Sequence, residues 1–382
     1  MTTKTISKVP LLDLKAQYEG LDEEIFQAFQ DVYESKQFIL GAAVKKLEQQ
    51  MIDYCNTQAA VAVSSGTDAL LMALMALDIG PGDEVITTPF TFFATAGSIA
   101  RVGATPVFCD IDPRTFNMDP ASVAKKVSPL TKAIMPVHLF GQMVDMDSIL
   151  AIAKEHQLFV IEDAAQSIGA TYTSNDGKCY KAGSMGDFGC FSFFPSKNLG
   201  ALGDAGLLTV NNPDYIEKAF SLRMHGETER YHHQFIGGNF RMDSLQAAFL
   251  SIKLPLLDNM HHVRQKNAAF FDEALSVEGL SDLVLTPQIH PQSTSIYNQY
   301  TLRSSQRQQL KLALDTACIG NAIYYPKPLH MQHCFSYLGQ LSGSAPSAEL
   351  VSGEVLSIPV AQCSDAELYY IVETIKEWAS TY

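Results

Sequence analysis

Between residues 59 and 210 the chain alternates between two hydrophobic rhythms. The runs AAVAVS, DEVITT, TPVFCDI, TKAIMPV and LFVIED are apolar along nearly their whole length, whereas DALLMALMAL, TFFATAGSIARV and MDSILAIAKEH carry apolar residues at helical spacing. Short strands with no polar face, separated by helices, predict a parallel sheet covered on both sides, an α/β arrangement. Further on, Asp243 is placed to cap a helix through SLQAAFLSIKL. Pro255 then interrupts that helix before a second helical stretch, LLDNMHHVRQKNAAFFDEAL, because proline lacks an amide hydrogen and crowds the preceding turn. The domain boundary is expected there. Residues 1–254 would form a large domain with an N-terminal helical segment. Residues 255–382 would form a smaller α+β domain, with a strand at NQYTLR, a helix at QQLKLALDTA, a Pro-rich loop at YYPKPLH and a terminal helix from Asp365. No internal repeat is seen, and the Ser/Gly-rich tract from Leu341 to Ser347 reads as a flexible surface loop.

With 382 residues, 47% of them hydrophobic, the chain is long enough to bury one or two cores without disulfides or metals. Its longest apolar run, Ala69 to Leu77, has nine residues, roughly half of the ~18 that suggest a membrane span. No transmembrane helix is therefore expected. The start, MTTKTISKVPLLDL, lacks the apolar core and small-residue cleavage site of a secretory signal, which points to the cytoplasm. Seven cysteines with no C-x-x-C spacing argue against a disulfide framework or a zinc ribbon, and reduced, mostly buried thiols are expected. A net charge of −14 repels phosphate backbones and argues against nucleic acid as a partner. Any anionic substrate needs a locally positive site.

Candidate chemistry lies where strands give way to helices. Ser64-Ser65-Gly66-Thr67-Asp68 follows the first strand and opens ALLMALMAL, so backbone N–H groups and two hydroxyls would face outward at a helix N-terminus, which suits a phosphate. The same residues also serve any helix cap. Asp163 ends LFVIED at the carboxyl edge of its strand, where open α/β sheets bind ligands, although a lone strand-end Asp is commonly a cap or a turn. Gln166 lies three residues on, and CFSFFPSKNLG follows with Ser192 and Lys197. A lysine set among Phe193, Phe194, Pro195 and Leu199 would be partly desolvated, which lowers its pKa and frees the amine to form a Schiff base. The competing reading is an ordinary solvated lysine. The histidines His232, His233, His261, His262, His330 and His333 have no carboxylate or thiol completing a ligand set, so no metal is expected. His138, in PVHLFGQ, reads as structural, and His330, beside YYPKPLH, is the histidine best placed for a substrate pocket.

SSGTDAL, EDAAQS, CFSFFPSKNLG and GDAG, in this order and spacing, resemble the DegT/DnrJ/EryC1/StrS family of sugar aminotransferases, which use pyridoxal 5′-phosphate (PLP) and share the aspartate aminotransferase fold. The resemblance runs from VPLLDLKAQY through NFRMDSLQAA to EVLSIP. It implies that Lys197 holds the cofactor as a Schiff base and shuttles protons, and that Asp163 pairs with the pyridinium nitrogen. It also places Gln166 near the ring hydroxyl, Phe92 against the ring face, and Gly66, Thr67 and Ser192 around the phosphate. On spacing alone Phe92, one of three phenylalanines in TPFTFFATAG, is equally a core residue. Asn239 and Arg241, in GGNFRMD, match positions that reach across a homodimer interface toward cofactor phosphate and substrate. Their competing reading is a loop before a helix.

The resemblance further implies a reaction in two halves: L-glutamate donates its amino group to the cofactor, and a nucleotide-linked keto sugar receives it. VPLLDLKAQY with YYPKPLH is similar to members that aminate C3 of UDP- or dTDP-linked 3-keto sugars, with Tyr325 and His330 at the substrate. Tyr324 stands where some UDP-keto-glucuronate enzymes carry His, so the sugar stays open. Three rivals can be weighed on residues. A PLP-dependent sugar dehydratase of this fold replaces the lysine that is present here as Lys197. A non-catalytic regulatory relative does not need Lys197, Asp163 and Gln166 together. A nicotinamide dehydrogenase is disfavoured because no G-x-G-x-x-G follows the first strands.

Overall fold

A computed structural model describes residues 6–382. The first five strands are β1 (Ala59–Val63), β2 (Glu84–Thr87), β3 (Thr105–Phe108), β4 (Thr131–Ile134) and β5 (Phe159–Asp163). A small hairpin, β6 (Thr171–Thr173) with β7 (Cys179–Lys181), then leaves the sheet before β8 (Phe188–Ser192) and β9 (Gly206–Val210) rejoin it. The seven-stranded sheet has the order β1-β9-β8-β5-β4-β2-β3. From β8 to β3 every neighbour is parallel, but β9 runs antiparallel to both β1 and β8. Residues 193–205, which join β8 to β9, contain Pro195, Gly200 and Gly203 and form no helix.

The strands lack a polar face because helices cover both sides of the sheet. In β1, Ala60 and Ala62 join the core that includes Leu47, Met51 and Leu250, whereas Val61 and Val63 join the opposite core with Leu70, Ala73 and Leu222. This is the two-residue alternation of a strand with both faces buried. A third core is built on β12 (Tyr300–Arg303), antiparallel to β13 (Val355–Ile358), under the helices Arg307–Thr316 and Asp365–Ala379. After β9 in the chain, β10 (Glu227–Glu229) and β11 (His232–His233) form an exposed hairpin.

Pro255 sits in a 3₁₀ turn, Leu254–Leu256, between the helices Ser244–Lys253 and Leu257–Leu275. Asp243 occupies the N-cap position of the first, but its carboxylate accepts no helix amide hydrogen. The second helix spans two cores: Leu257 packs in the first, while Ala268, Phe271 and Leu275 pack in the third. Val9 also belongs to the third core, bonded on both sides of its backbone to Cys318 and Gly320. No described helix is long and apolar enough to cross a membrane. The cysteines are less buried than expected: Cys55, Cys109 and Cys190 are buried, Cys179, Cys318 and Cys334 are exposed, and Cys363 lies between. Spacing reveals pairing chemistry but not the depth of a lone thiol.

One buried ion pair ties three elements together. Arg223 Nη1 donates to Glu48 Oε1 at 2.5 Å and to the Ala62 carbonyl, and the same Glu48 oxygen accepts the Ala62 N–H. Both side chains are about nine-tenths buried, at 8% and 11% exposure. Replacing Arg223 by Met strands the Glu48 carboxylate and should cost about 3–5 kcal/mol. The double variant Glu48→Leu/Arg223→Met, which removes both charges, should recover most of that loss. Urea unfolding of the cofactor-free protein checks both values, and a single variant as stable as the parent would deny the pair this role.

Candidate functional site

The carboxyl ends of β1, β5 and β8 open on one cavity of about 660 Å³. Its walls include Gly66, Thr67, Phe92, Asp163, Gln166 and Ser192, together with Lys197 and Tyr325. Eight residues expected at the site from sequence are therefore brought together, although 131 positions separate Gly66 from Lys197. The parallel topology accounts for this, because each right-handed crossover returns the chain to the same edge of the sheet.

The end of β5 carries two consecutive carboxylates that point to opposite faces of the sheet. Glu162 accepts hydrogen bonds from the amides of Gly183, Met185 and Gly186 and from His138 Nε2, at 2.6–2.8 Å. With four donors its acceptor capacity is filled. His138 accepts the Val144 amide hydrogen at Nδ1, so Nε2 carries the ring proton. Its structural role matches its burial. Asp163 takes only two donors, Thr95 Oγ1 at 2.7 Å and the Ala165 amide at 3.2 Å. Burial pushes its pKa up, and the Thr95 hydrogen bond opposes that shift. Its remaining acceptor capacity faces the cavity.

Lys197 lies in the loop between β8 and β9, and burial holds its ammonium down to about 8, against 10.5 for a free lysine. The Asp163 charge offsets only part of this. Amine and carboxylate thus sit in one cavity with the amine already easy to deprotonate. At the other end Ser65 caps the helix Gly66–Ala76, accepting the Asp68 amide hydrogen at 3.1 Å. The hydroxyls of Ser64 and Ser65 do not face outward freely; both donate to the Asp68 carboxylate, at 2.6 and 2.9 Å. The first backbone amides of the helix carry the positive end of its dipole toward the cavity. A Cβ at Gly66 would come within 2.8 Å of Ser192 Cβ, so only glycine lets the two segments approach this closely. An aldehyde-bearing, phosphorylated heteroaromatic ring fits this donor set: an amine for the aldehyde, a buried carboxylate for a ring nitrogen, and a helix N-terminus for the phosphate.

The remaining expected residues divide. Gln166 Nε2 donates to the Tyr325 hydroxyl at 3.2 Å, and Phe92, 61% exposed, faces Tyr325 with ring centroids 6.4 Å apart. Three others lie outside the cavity walls of their own chain. Asn239 is exposed and bridges Met224, and Arg241 bridges Val63. His330 is buried, with Nε2 bonded to Glu349 Oε1 at 3.0 Å and its ring beside Phe108. Sequence reasoning missed Thr95, which holds Asp163, and Thr91, which holds Thr95 at 3.0 Å. It also missed Glu162 as the anchor for His138. The i, i+4 spacing of the two threonines was the available signal.

Fold and site together define an enzyme whose doubly covered α/β sheet opens on a cavity lined by Lys197 and Asp163. The chain belongs to the DegT/DnrJ/EryC1/StrS aminotransferase family, whose profile matches residues 19–376. It is 48% identical over 371 residues to a pleiotropic regulatory protein of Geobacillus stearothermophilus, covering 97% of this chain and 98% of that one. It is 42% identical over 352 residues to the UDP-N-acetyl-3-dehydro-alpha-D-glucosamine 3-aminotransferase of Acidithiobacillus ferrooxidans, covering 92% of each. Among solved structures it matches DesV of S. venezuelae in complex with a ketimine intermediate, with a TM-score of 0.93, 35% identity, and 98% and 99% of the two chains covered. NtdA of Bacillus subtilis with bound cofactor PMP matches with a TM-score of 0.91 and 27% identity, over 100% of this chain and 87% of that one.

The lowered pKa of Lys197 has a direct test. In cofactor-free protein the amine attacks an aldehyde only after losing its proton, so borohydride trapping of a small aldehyde on Lys197 should rise with pH through a midpoint near 8 rather than 10.5. The Asp163→Asn variant removes the negative charge that raises the value, so its midpoint should fall below 8. Peptide mapping of the trapped adduct across about pH 6 to 11 reads both midpoints. A wild-type midpoint near that of free lysine would mean that the amine is solvated.

Proposed function

We propose that this chain is a PLP-dependent aminotransferase that moves an amino group from L-glutamate to a nucleotide-linked keto sugar, at C3 of a UDP- or dTDP-linked 3-keto sugar. The convergence of Lys197, Asp163 and Gln166 on one cavity carries the reading. The 3-aminotransferase of Acidithiobacillus ferrooxidans supports the sugar class and the position. When bound, PLP supplies an aldehyde carbon and an electron-withdrawing ring that stabilises the charge left by deprotonating an attached amine.

The chain's own residues do the rest. Lys197 is the residue that would hold the aldehyde carbon and, when free, would move a proton at Nζ to and from the substrate carbon. Its low pKa leaves a usable fraction of free amine near neutral pH. Asp163 would keep a proton on the ring nitrogen, Gln166 would meet the ring hydroxyl, and Phe92 would cover the ring. Gly66, Thr67 and Ser192 would hold the phosphate, and Tyr325 would border the sugar. Asn239 and Arg241 lie outside their own chain's cavity, which supports a two-fold homodimer in which a second copy supplies them to cofactor phosphate and substrate. The exposed, unpaired Cys179, Cys318 and Cys334 favour a reducing compartment, and we place the enzyme in the cytoplasm.

The regulatory name of the Geobacillus relative favours a second reading, a non-catalytic regulator. A regulator has no use for a buried carboxylate facing a lysine poised to lose its proton. A panel of UDP- and dTDP-linked keto sugars incubated with glutamate and the PLP-loaded protein separates the two, with mass and nuclear magnetic resonance spectra identifying the product. Transfer to C3 is expected. Asp163→Asn should retain bound PLP yet lose turnover by roughly 10²-fold or more in both halves of the reaction.

The shared site makes its own prediction. Lys197→Ala and Arg241→Ala homodimers should each be nearly inactive, because every site lacks one group. Mixed dimers contain one site with both groups intact, so co-expression should restore activity to at most about half of the sites in each mixed dimer. Mixed dimers that are present by mass yet inactive would put Arg241 in its own chain's site or outside it.

A further inference from the structure

Lys253 closes the helix Ser244–Lys253 and is 1% exposed, and no other described lysine is as buried. Its Nζ donates to the carbonyl of Gly200 at 2.8 Å, and among the described residues no other hydrogen bond reaches that buried carbonyl. The rest of the ammonium faces two aromatic rings, those of Tyr18 and Phe249, with Nζ 4.9 and 5.3 Å from their centroids. The two rings meet edge to face at 5.5 Å. Phe249 lies one turn back on the same helix, and Tyr18 ends VPLLDLKAQY, whose Asp13 caps the short helix Leu14–Tyr18. Ring faces attract a cation electrostatically, so this box holds the ammonium while its hydrogen bond goes to Gly200. Burial lowers the pKa of Lys253 to about 8, and no charged neighbour among the described residues offsets that. A methionine would fill a similar volume without the cost of burying a charge. What the lysine adds is the bond to Gly200.

Gly200 belongs to the loop of residues 193–205 that carries Lys197. A Cβ at Gly200 would lie 2.3 Å from the Pro195 carbonyl oxygen, so Gly200 is pressed against a residue two positions before Lys197, and the two must move together. Other bonds hold the same loop. Gln246, on the helix of Lys253, accepts the Leu202 amide hydrogen at 2.9 Å, and the Ala201 amide donates to the Phe193 carbonyl at 2.8 Å. On the far side Asn298 donates to Asn198, which donates to the Ile296 carbonyl, at 2.7 and 3.1 Å. Lys197 therefore lies between a grip at Asn198 and a grip at Gly200 to Leu202. Of these bonds the one from Lys253 has an ionised donor, which makes it roughly twice as strong as a neutral one.

We infer that Lys253 is a positioning residue for Lys197: its ammonium, boxed by Tyr18 and Phe249, pins the Gly200 carbonyl and so fixes the loop that presents the Lys197 amine to the cavity. This rests on the reading of Lys197 as the reactive amine, and it gives VPLLDLKAQY a part in the site although Tyr18 lies outside the cavity walls. Lys253 does not act on Lys197 by its charge, since burial and Asp163 account for the shift of that amine. A change at Lys197 on altering Lys253 therefore reports the loop's position.

The test uses cofactor-free protein with propanal as the aldehyde, so it depends on neither donor, sugar nor turnover. In Lys253→Met the pH midpoint for borohydride trapping on Lys197 should rise from near 8 by about one unit, because a loosened loop lets water reach the ammonium form. Peptide-resolved hydrogen exchange should quicken at least about tenfold across residues 193–205 and stay unchanged in β5. The melting temperature should stay within about 3 °C of wild type, since the lost bond and the relieved charge offset each other. An unmoved midpoint would overturn the inference. Faster exchange throughout the sheet together with a lower melting temperature would overturn it too, because Lys253 would then brace the fold as a whole. If Lys253→Met does not fold, Lys253→Gln, which keeps an N–H donor on a shorter arm, decides: an unmoved midpoint overturns the inference and a raised one supports it. A raised midpoint in a protein that transfers no amine when loaded with PLP would sink the aminotransferase reading and leave the positioning role standing. Amine transfer with an unmoved midpoint would do the reverse.

Discussion

Glu162 holds the centre of this molecule by taking four donors at once, from Gly183, Met185, Gly186 and His138. Through them it pins the turn that leads into β8 and the segment that follows β4, the strands on either side of β5. A buried carboxylate with fewer donors would be a heavy liability, and one with all four is a rivet. Because successive side chains on a strand point to opposite faces, saturating Glu162 on one side leaves Asp163 on the other side rigidly aimed at the cavity. Thr95 and Thr91 then steady Asp163 without exhausting it. The site is precise because its neighbour is structural.

The same economy governs the charges. Lys197 and Asp163 are both pushed toward their neutral forms by burial, the lysine downward and the carboxyl upward. Each partly corrects the other across the cavity. A group between them that accepts the amine and offers a proton to the carboxylate relieves both costs together, so the energy of desolvating this pair favours occupancy. The arrangement of helix terminus, carboxylate and amine therefore belongs to one ligand rather than to three separate ones.

Much of this was legible in the sequence, for reasons that differ by element. β1 to β5 and the helices between them announce themselves because burial on both faces demands unbroken apolar runs. Lys197 and Asp163 stand out because their types contradict the apolar setting around them. The antiparallel direction of β9 was not legible, because GLLTV is equally apolar in either direction. The fate of His330 was hidden for a related reason. Its proximity to Tyr325 in sequence says nothing about the Glu349 carboxylate that turns its ring away from the cavity walls. Asp243 shows the limit of cap rules, since it holds the cap position without making the bond. Long-range partners decide such cases, and spacing does not record them.

The pairing of β1 with β9 also sets a clock. Val63 meets Gly206 and Ala59 meets Val210, residues roughly 150 positions apart on the ribosome's output. At about 5–20 residues per second, β1 waits on the order of 7–30 s after synthesis for β9, its neighbour in the sheet. During that interval AAVAV is an apolar strand with open edges, the kind of segment that seeks other chains. The helix Gly66–Ala76, which packs on β1 and is made immediately after it, is available to shelter one face at once. The yield of folded protein should therefore be more sensitive to pauses in translation between codons 64 and 206 than to pauses after them.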